Sequence, residues 1–175
     1  SNMAKRCQIK GGFTSNNDDP VMIGQIQVVH CTDVNASKEA ILSQKEHLIE
    51  LCNEVDPILV KFGGGCKDIE ARIIETNSGN MLILHLLVDC RDAMGANAVN
   101  TMAETIAPKV ESITGGTVIL RIISNLAVHR LARVSAIFTR EEMSDDGKDV
   151  KRGEEIIDGV IQAYHFAAAD PFRAT

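Results

Sequence analysis

A chain of 175 residues with a net charge of −6 can bury the core of one domain plus an appendage, but it lacks the basic surface needed for non-specific binding to phosphate backbones. With 3% aromatics, no Trp and one Tyr, the core must be built from Ile, Leu, Val, Met and Ala. Little is left for stacking on bases, and no nucleic-acid partner is expected. The five cysteines (Cys7, Cys31, Cys52, Cys66, Cys90) are odd in number and lack CxxC spacing, which supplies neither a disulfide framework nor a metal site. The longest apolar run, Met81 to Val88, is interrupted by His85 and too short for a bilayer, so no membrane partner is expected. Ser1-Asn2 reads as a tag-cleavage remnant, and the reducing cytoplasm is the expected compartment.

Lys5 to Pro20 closes on the polar tract Thr14-Ser15-Asn16-Asn17-Asp18-Asp19-Pro20 and reads as an extended loop. Residues 21–31 alternate as a strand, with Met22, Ile26 and Val28 inward and Gln25 and Gln27 on the opposite face. Asn35 as N-cap predicts one helix to about Val55, with Ile41, Leu48, Cys52 and Val55 on its apolar side; Asp56-Pro57 stops it. After Gly63-Gly64-Gly65, strands at 68–77 and 80–90 are joined by the hairpin residues Asn77-Ser78-Gly79-Asn80.

A second helix starts near Met94, carries the stripe Val99, Met102, Ala103, Ile106, Val110 and Ile113, and ends at Gly115-Gly116. Pro108 predicts a kink or early break within it. A strand at 117–124 completes the order β-α-β-β-α-β. That order predicts an α+β, ferredoxin-like sandwich, a four-stranded antiparallel sheet with two helices on one face.

Residues 131–139 read as a further strand, and 153–168 as an amphipathic helix with Ile156, Ile157, Val160, Ile161, Tyr164, Ala167 and Ala168 on one side. The helix layer of the first domain is already filled, so this tail has to pack on something larger. The expected organisation is an N-terminal extended segment of a large domain (1–20), a small domain (21–124) and part of the large domain (125–175).

The sharpest local feature is Arg91-Asp92-Ala93-Met94-Gly95-Ala96-Asn97, where a strand feeds directly into a helix. Exposed amides and the macrodipole make such a terminus an anion site. Gly95 and Ala96 leave room for a phosphate, Asp92 is a candidate cap, and Asn97 offers a donor and an acceptor. A well-capped helix with small residues at a crossing explains the same residues equally well. Gly63-Gly64-Gly65 does not match GxGxxG, and a tight turn or bulge accounts for it. No histidine has a second ligand at metal spacing, and no Ser/His/Asp or Cys/His set can be assembled. The chain holds no self-contained catalytic set.

The run Arg91-Asp92-Ala93-Met94-Gly95-Ala96-Asn97-Ala98-Val99-Asn100-Thr101-Met102-Ala103-Glu104 resembles the cofactor-binding signature of the bacterial and archaeal (class II) hydroxymethylglutaryl-coenzyme A reductases. Further matches follow in order: Gly11-Gly12-Phe13-Thr14, Gly63 to Glu70, Ile113-Thr114-Gly115-Gly116, Arg121 to Ala127, and Ala169-Asp170-Pro171-Phe172-Arg173-Ala174-Thr175. The resemblance implies an oxidoreductase that interconverts hydroxymethylglutaryl-coenzyme A and mevalonate by two hydride transfers. It also implies that the small domain binds NAD(P), with Asp92, Ala93, Met94, Gly95, Ala96, Asn97 and Ala98 wrapping the dinucleotide.

In the same way Asp56, seven residues before Gly63, matches the acidic residue facing the adenosine ribose. Asn125 matches a residue near the nicotinamide, and Arg173 one that contacts the hydroxymethylglutaryl group. A carboxylate at Asp56 would accept from the 2′-hydroxyl of NAD and repel the 2′-phosphate of NADP, so NAD is the expected cofactor and NADP the alternative. The implied partners of the whole enzyme are hydroxymethylglutaryl-coenzyme A, mevalonate, coenzyme A and a second copy, as a homodimer or higher.

The family's catalytic lysine (in HNKG), glutamate (in an EEPS-like motif), aspartate and histidine have no counterpart in this chain, which is therefore expected to be inactive alone. One departure falls after Asn-Leu-Ala, where the family commonly has an acidic residue and this chain has Val128. The competing expectation is a free-standing ferredoxin-like module that binds a small regulatory molecule.

Overall fold

The computed structural model describes residues 2–8 and 11–174; Ser1 of the expected tag remnant and Thr175 of the last matched segment lie outside them. In chain order the elements are α1 (Asn2–Cys7), β1 (Thr14–Asn17), β2 (Val21–Val29), α2 (Val34–Ser43), α3 (Lys45–Val55), α4 (Pro57–Lys61), β3 (Gly65–Thr76) and β4 (Gly79–Asp89). They continue with α5 (Ala96–Thr114), β5 (Thr117–Ile123), β6 (Ala132–Ser135), α6 (Arg140–Met143), α7 (Val150–Ala169) and α8 (Pro171–Ala174). The chain divides into two compact units, 17–132 and 1–16 with 133–175.

Unit 17–132 is an α+β layer pair. Its sheet has the order β3-β4-β2-β5, and every neighbouring pair is antiparallel. The period-2 pattern sends Ile26 and Val28 of β2 and Leu82, Leu84, Leu86 and Val88 of β4 to one face, all fully buried. On that face they meet Ile41, Leu48 and Cys52 from α2 and α3, and Val99, Met102, Ile106 and Val110 from α5. Each such aliphatic side chain withdrawn from water contributes about 1.5–3 kcal/mol, which is what drives the helices onto the sheet.

The helix expected over 35–55 is two helices. The cap is Asp33 rather than Asn35, its carboxylate accepting from the amides of Asn35 (2.9 Å) and Ala36 (3.0 Å). The break comes at Gln44, whose amide donates to Ile41 O at 3.1 Å, a tighter turn than the α-helix allows. Ser43 reinforces it by donating its hydroxyl to Ala40 O at 2.8 Å.

Asp56-Pro57 ends α3 as expected, but it also starts α4. Proline at the first helical position forfeits no bond, and Asp56 Oδ1 accepts from Leu59 N at 2.9 Å. Pro108 does not break α5, which is continuous to Thr114. Pro108 and Glu104, the residue whose carbonyl loses a partner, are both solvent-exposed, so the missing bond falls on the side of α5 open to water while Met102, Ala103, Ile106 and Ala107 hold the buried side.

The opposite face of the sheet carries Gln25 and His85, which are cross-strand partners, with Nε2 atoms 3.0 Å apart. Burial holds the His85 ring below the ordinary histidine range, aided by Arg72 and His129 and opposed by Glu70. The unfolded chain takes up this proton near pH ~6.5, while the folded chain resists it. Below that pH the unfolded state binds more protons, so stability falls with falling pH. His85→Gln is expected to flatten the slope between about pH 7.5 and about pH 5.5 in equilibrium denaturation. An unchanged slope would place its origin at another group.

In unit 1–16 with 133–175, the expected strand 131–139 shortens to β6 and pairs with β1. The tract read as loop thus supplies a strand, and Thr14 Oγ1 meets Ser135 Oγ at 2.7 Å. α6 opens on a capping box of Thr139 and Glu142 and packs on α7. Asp149 caps α7 through Arg152 N at 3.0 Å. The amphipathic helix is present, but Val160, Ile161, Tyr164 and Phe166 are exposed. No helix among the described residues is long and apolar enough to cross a membrane.

Candidate functional site

Sheet register brings three connections to one end of the sheet. Asp89 at the end of β4 pairs with Val21 and with Gly65, and Ile123 near the end of β5 pairs with Gly24. Segments 56–64, 90–95 and 124–130 therefore all emerge at that end.

The 90–95 connection is built on a buried charge. Asp89 is 5% exposed; its Oδ1 accepts from Arg91 N at 2.9 Å and its Oδ2 pairs with Arg91 Nη2 at 3.0 Å. Arg91 takes a left-handed backbone (φ 51°) to make both contacts. Its guanidinium also donates to Gly63 O, which stitches the glycine turn to the loop. Lys67 Nζ donates to Gly63 O and Gly64 O, each at 2.8 Å. Arg91 and Lys67 thus converge on a single carbonyl.

The helix cap expected at Asp92 is instead Gly95, in the left-handed region (φ 90°) and with no side-chain cap. Asp92 is exposed and sits three residues too early to reach the first-turn amides. The loop folds back so tightly that a Cβ on Gly95 would stand 2.2 Å from Cys90 Sγ. The start of α5 is therefore rimmed by Ala93, Gly95, Ala96 and Ala98, with Asn97 and Met94 exposed. Alongside runs a cleft of about 360 Å³ lined by Pro20, Arg91, Asp92, Arg130 and Leu131.

The structure thus gathers Asp92 to Ala98 into one loop and first turn. Asp56 heads α4, which leads to Gly63 and its contact with Arg91. Asn125 is exposed just beyond β5, its carbonyl accepting from Ala127 N. Arg173 is exposed on α8 of the other unit.

Sequence reading missed Asp89 and Arg130 as parts of the loop. Asp89 carries a local signal, an Asp that accepts from the amide two residues on, whereas nothing local marks Arg130, which reaches carbonyls 36 to 39 residues away in the chain. The thiols nearby are not poised as nucleophiles. Cys90 is pushed up by burial and by Asp89, opposed by Arg130 and by a backbone hydrogen bond from Met22, and Cys52 is pushed up by its hydrogen bond to Cys66 and by burial.

The hydroxymethylglutaryl-coenzyme A reductase family model matches residues 1–175. The chain is 57% identical over 173 residues to the 3-hydroxy-3-methylglutaryl-coenzyme A reductase of Archaeoglobus fulgidus, covering 99% of this chain and 38% of that protein. It superimposes on the reductase of Streptococcus pneumoniae with a TM-score of 0.90 and 34% identity, covering 97% of this chain and 45% of the other. A second structure, of the class II reductase from that organism bound to NADPH in open conformations, gives the same score and identity with 40% of its chain covered. The chain spans less than half the length of the relatives it matches. It belongs to the hydroxymethylglutaryl-coenzyme A reductase family, and its α+β fold matches that of the class II reductases.

Proposed function

We propose that this chain is the dinucleotide-binding part of a reductase that interconverts hydroxymethylglutaryl-coenzyme A and mevalonate in the cytoplasm, as a homodimer or larger. The observation that carries the reading is the start of α5, free of a side-chain cap, rimmed by small residues and flanked by Arg91, at the sheet end where Asp56 and Asn125 also emerge. The strand order β3-β4-β2-β5, with its helices on one face, supports a ferredoxin-like sandwich. Unit 17–132 is then the small domain. The exposed apolar side of α7 supports assigning the other unit to the catalytic domain. A free-standing regulatory module accounts less well for a family match over 1–175.

The residues fit a dinucleotide. A pyrophosphate needs amide donors and a close backbone approach, and the Asp92–Ala98 segment offers both. NAD or NADP, when bound, would supply or accept the hydride; NADPH is the ligand of the pneumococcal relative. The chain's own part is to bind and orient. The first-turn amides hold the pyrophosphate, Asn125 the nicotinamide end, and Arg173 the carboxylate of the acyl group. Asp56, its Oδ1 fixed by Leu59 N, faces the adenosine ribose and favours NAD.

Asp56→Asn keeps a cap acceptor and removes the charge. In the full-length enzyme, the ratio of kcat/KM for NAD(H) over NADP(H) should fall about tenfold or more, the equivalent of one charge-assisted hydrogen bond. An unchanged ratio removes Asp56 from the ribose site. The chain alone has no counterpart of the family's catalytic Lys, Glu, Asp and His, so it should bind dinucleotide without oxidising NADH in the presence of hydroxymethylglutaryl-coenzyme A. Turnover above background would overturn that assignment.

A further inference from the structure

Arg130 lies outside every segment singled out for the dinucleotide, yet it holds the loop that presents the amides. Its Nη1 donates to Ala93 O at 2.9 Å and reaches Met94 O at 3.5 Å, and its Nη2 reaches Arg91 O at 3.5 Å. The backbone that carries it is itself anchored. Asp18 N donates to Leu131 O at 2.9 Å, and Leu131 N donates to Asp18 Oδ2 at 3.2 Å. Two residues beyond Asp18, Pro20 O accepts from Cys90 N at 3.0 Å. Segments 18–20 and 130–131 thus grip the loop from the amide of its first residue, Cys90, to the carbonyl of its fifth, Met94.

From this geometry we infer that Arg130 is a positioning residue for dinucleotide binding, acting as a clamp on loop carbonyls; the inference rests on the function proposed above. Across a trans peptide, a carbonyl and the N–H that follows it point in opposite directions. Holding the carbonyls of Arg91, Ala93 and Met94 on one guanidinium turns the N–H groups of Asp92, Met94 and Gly95 to the other side. Successive amides arranged in this way make an anion-binding concavity immediately ahead of the first turn of α5. Arg130 makes these contacts from two nitrogens fixed in one plane; a lysine ammonium has three donors but only one nitrogen to place. Arg130 touches no dinucleotide atom in this scheme. It organises the loop before the ligand arrives, so its loss is felt by NADH and NADPH alike and not by the acyl-coenzyme A.

The test uses Arg130→Ala and Arg130→Lys in the full-length protein, with amide hydrogen exchange and dinucleotide titration as readouts. Without ligand, exchange at the two hydrogen-bonded loop amides, Arg91 N (to Asp89 Oδ1) and Ala93 N (to Cys90 O), should speed up about tenfold in the alanine variant, with β2 and β4 unchanged. The Kd for both NADH and NADPH should rise about tenfold, while the KM for hydroxymethylglutaryl-coenzyme A moves less than about twofold. Methylguanidinium should restore part of the affinity of the alanine variant and none to the lysine variant. Loop exchange within about twofold of wild type overturns the clamp, as does faster exchange with unchanged Kd. If alanine prevents folding, lysine decides by the same two readouts. A wild type that binds neither dinucleotide sinks the proposed function instead, and loop exchange then judges the clamp alone.

Discussion

Gly95→Ala is expected to lower the unfolding free energy of the 17–132 unit by about 2–6 kcal/mol and to abolish dinucleotide binding. Two costs add. The backbone at φ 90° lies where a Cβ is strained, about 1–3 kcal/mol. The new methyl would also stand 2.2 Å from Cys90 Sγ and 2.7 Å from its Cβ, and overpacking of this kind costs about 1–3 kcal/mol more. Cys90 cannot step aside, because its side chain is fully buried and its amide is held by Pro20 O. The loop has to open, and the start of α5 opens with it. Gly79→Ala is the control: φ is 104° but nothing lies within 4 Å of the added Cβ, so only the backbone cost remains. Urea titration of both variants measures the difference. Equal losses would show that the Cys90 contact contributes nothing, and Gly95→Ala/Cys90→Ala should recover stability over Gly95→Ala.

Arg91→Ala should cost about 2–4 kcal/mol and weaken dinucleotide binding. Removing one member of a buried ion pair leaves the other uncompensated, typically at about 3–5 kcal/mol. Asp89 is buried, but the Arg91 side chain is 46% exposed, so water reaching the pair reduces that figure. The lost guanidinium also frees Gly63 O, though Lys67 still covers it. A cycle with Asp89→Ala should show a coupling of at least about 1 kcal/mol. Additive losses would mean that Arg91 acts through Gly63 and not through Asp89.

Much of this architecture can be read directly from residue patterns. Alternation in 21–31 and 80–90 requires two strands with one wet face, since a strand's side chains point alternately up and down. The stripe from Val99 to Val110 requires a buried helix side, and Asn77-Ser78-Gly79 requires a tight reversal. The long run from Arg91 to Glu104 was enough to mark the family. These features are local: each depends on residues within a few positions of one another, and the backbone geometry that makes them visible is the same in every fold.

Other features depended on residues far apart in the chain. The break at Gln44 lets both α2 and α3 lay their apolar sides on one twisted sheet, a demand that no helical period records. Pro108 was tolerated because its side of α5 faces water. Gly95 displaced Asp92 as the cap because the loop must fold against Cys90, whose amide is held by Pro20 O from the segment ahead of β2. The grip of Arg130 on three carbonyls, and of Arg91 on Gly63, joins segments with nothing local in common. Hydrogen bonds and close packing are decided by distance in space, and between Gly63, Cys90 and Arg130 that distance exists only once the sheet has formed.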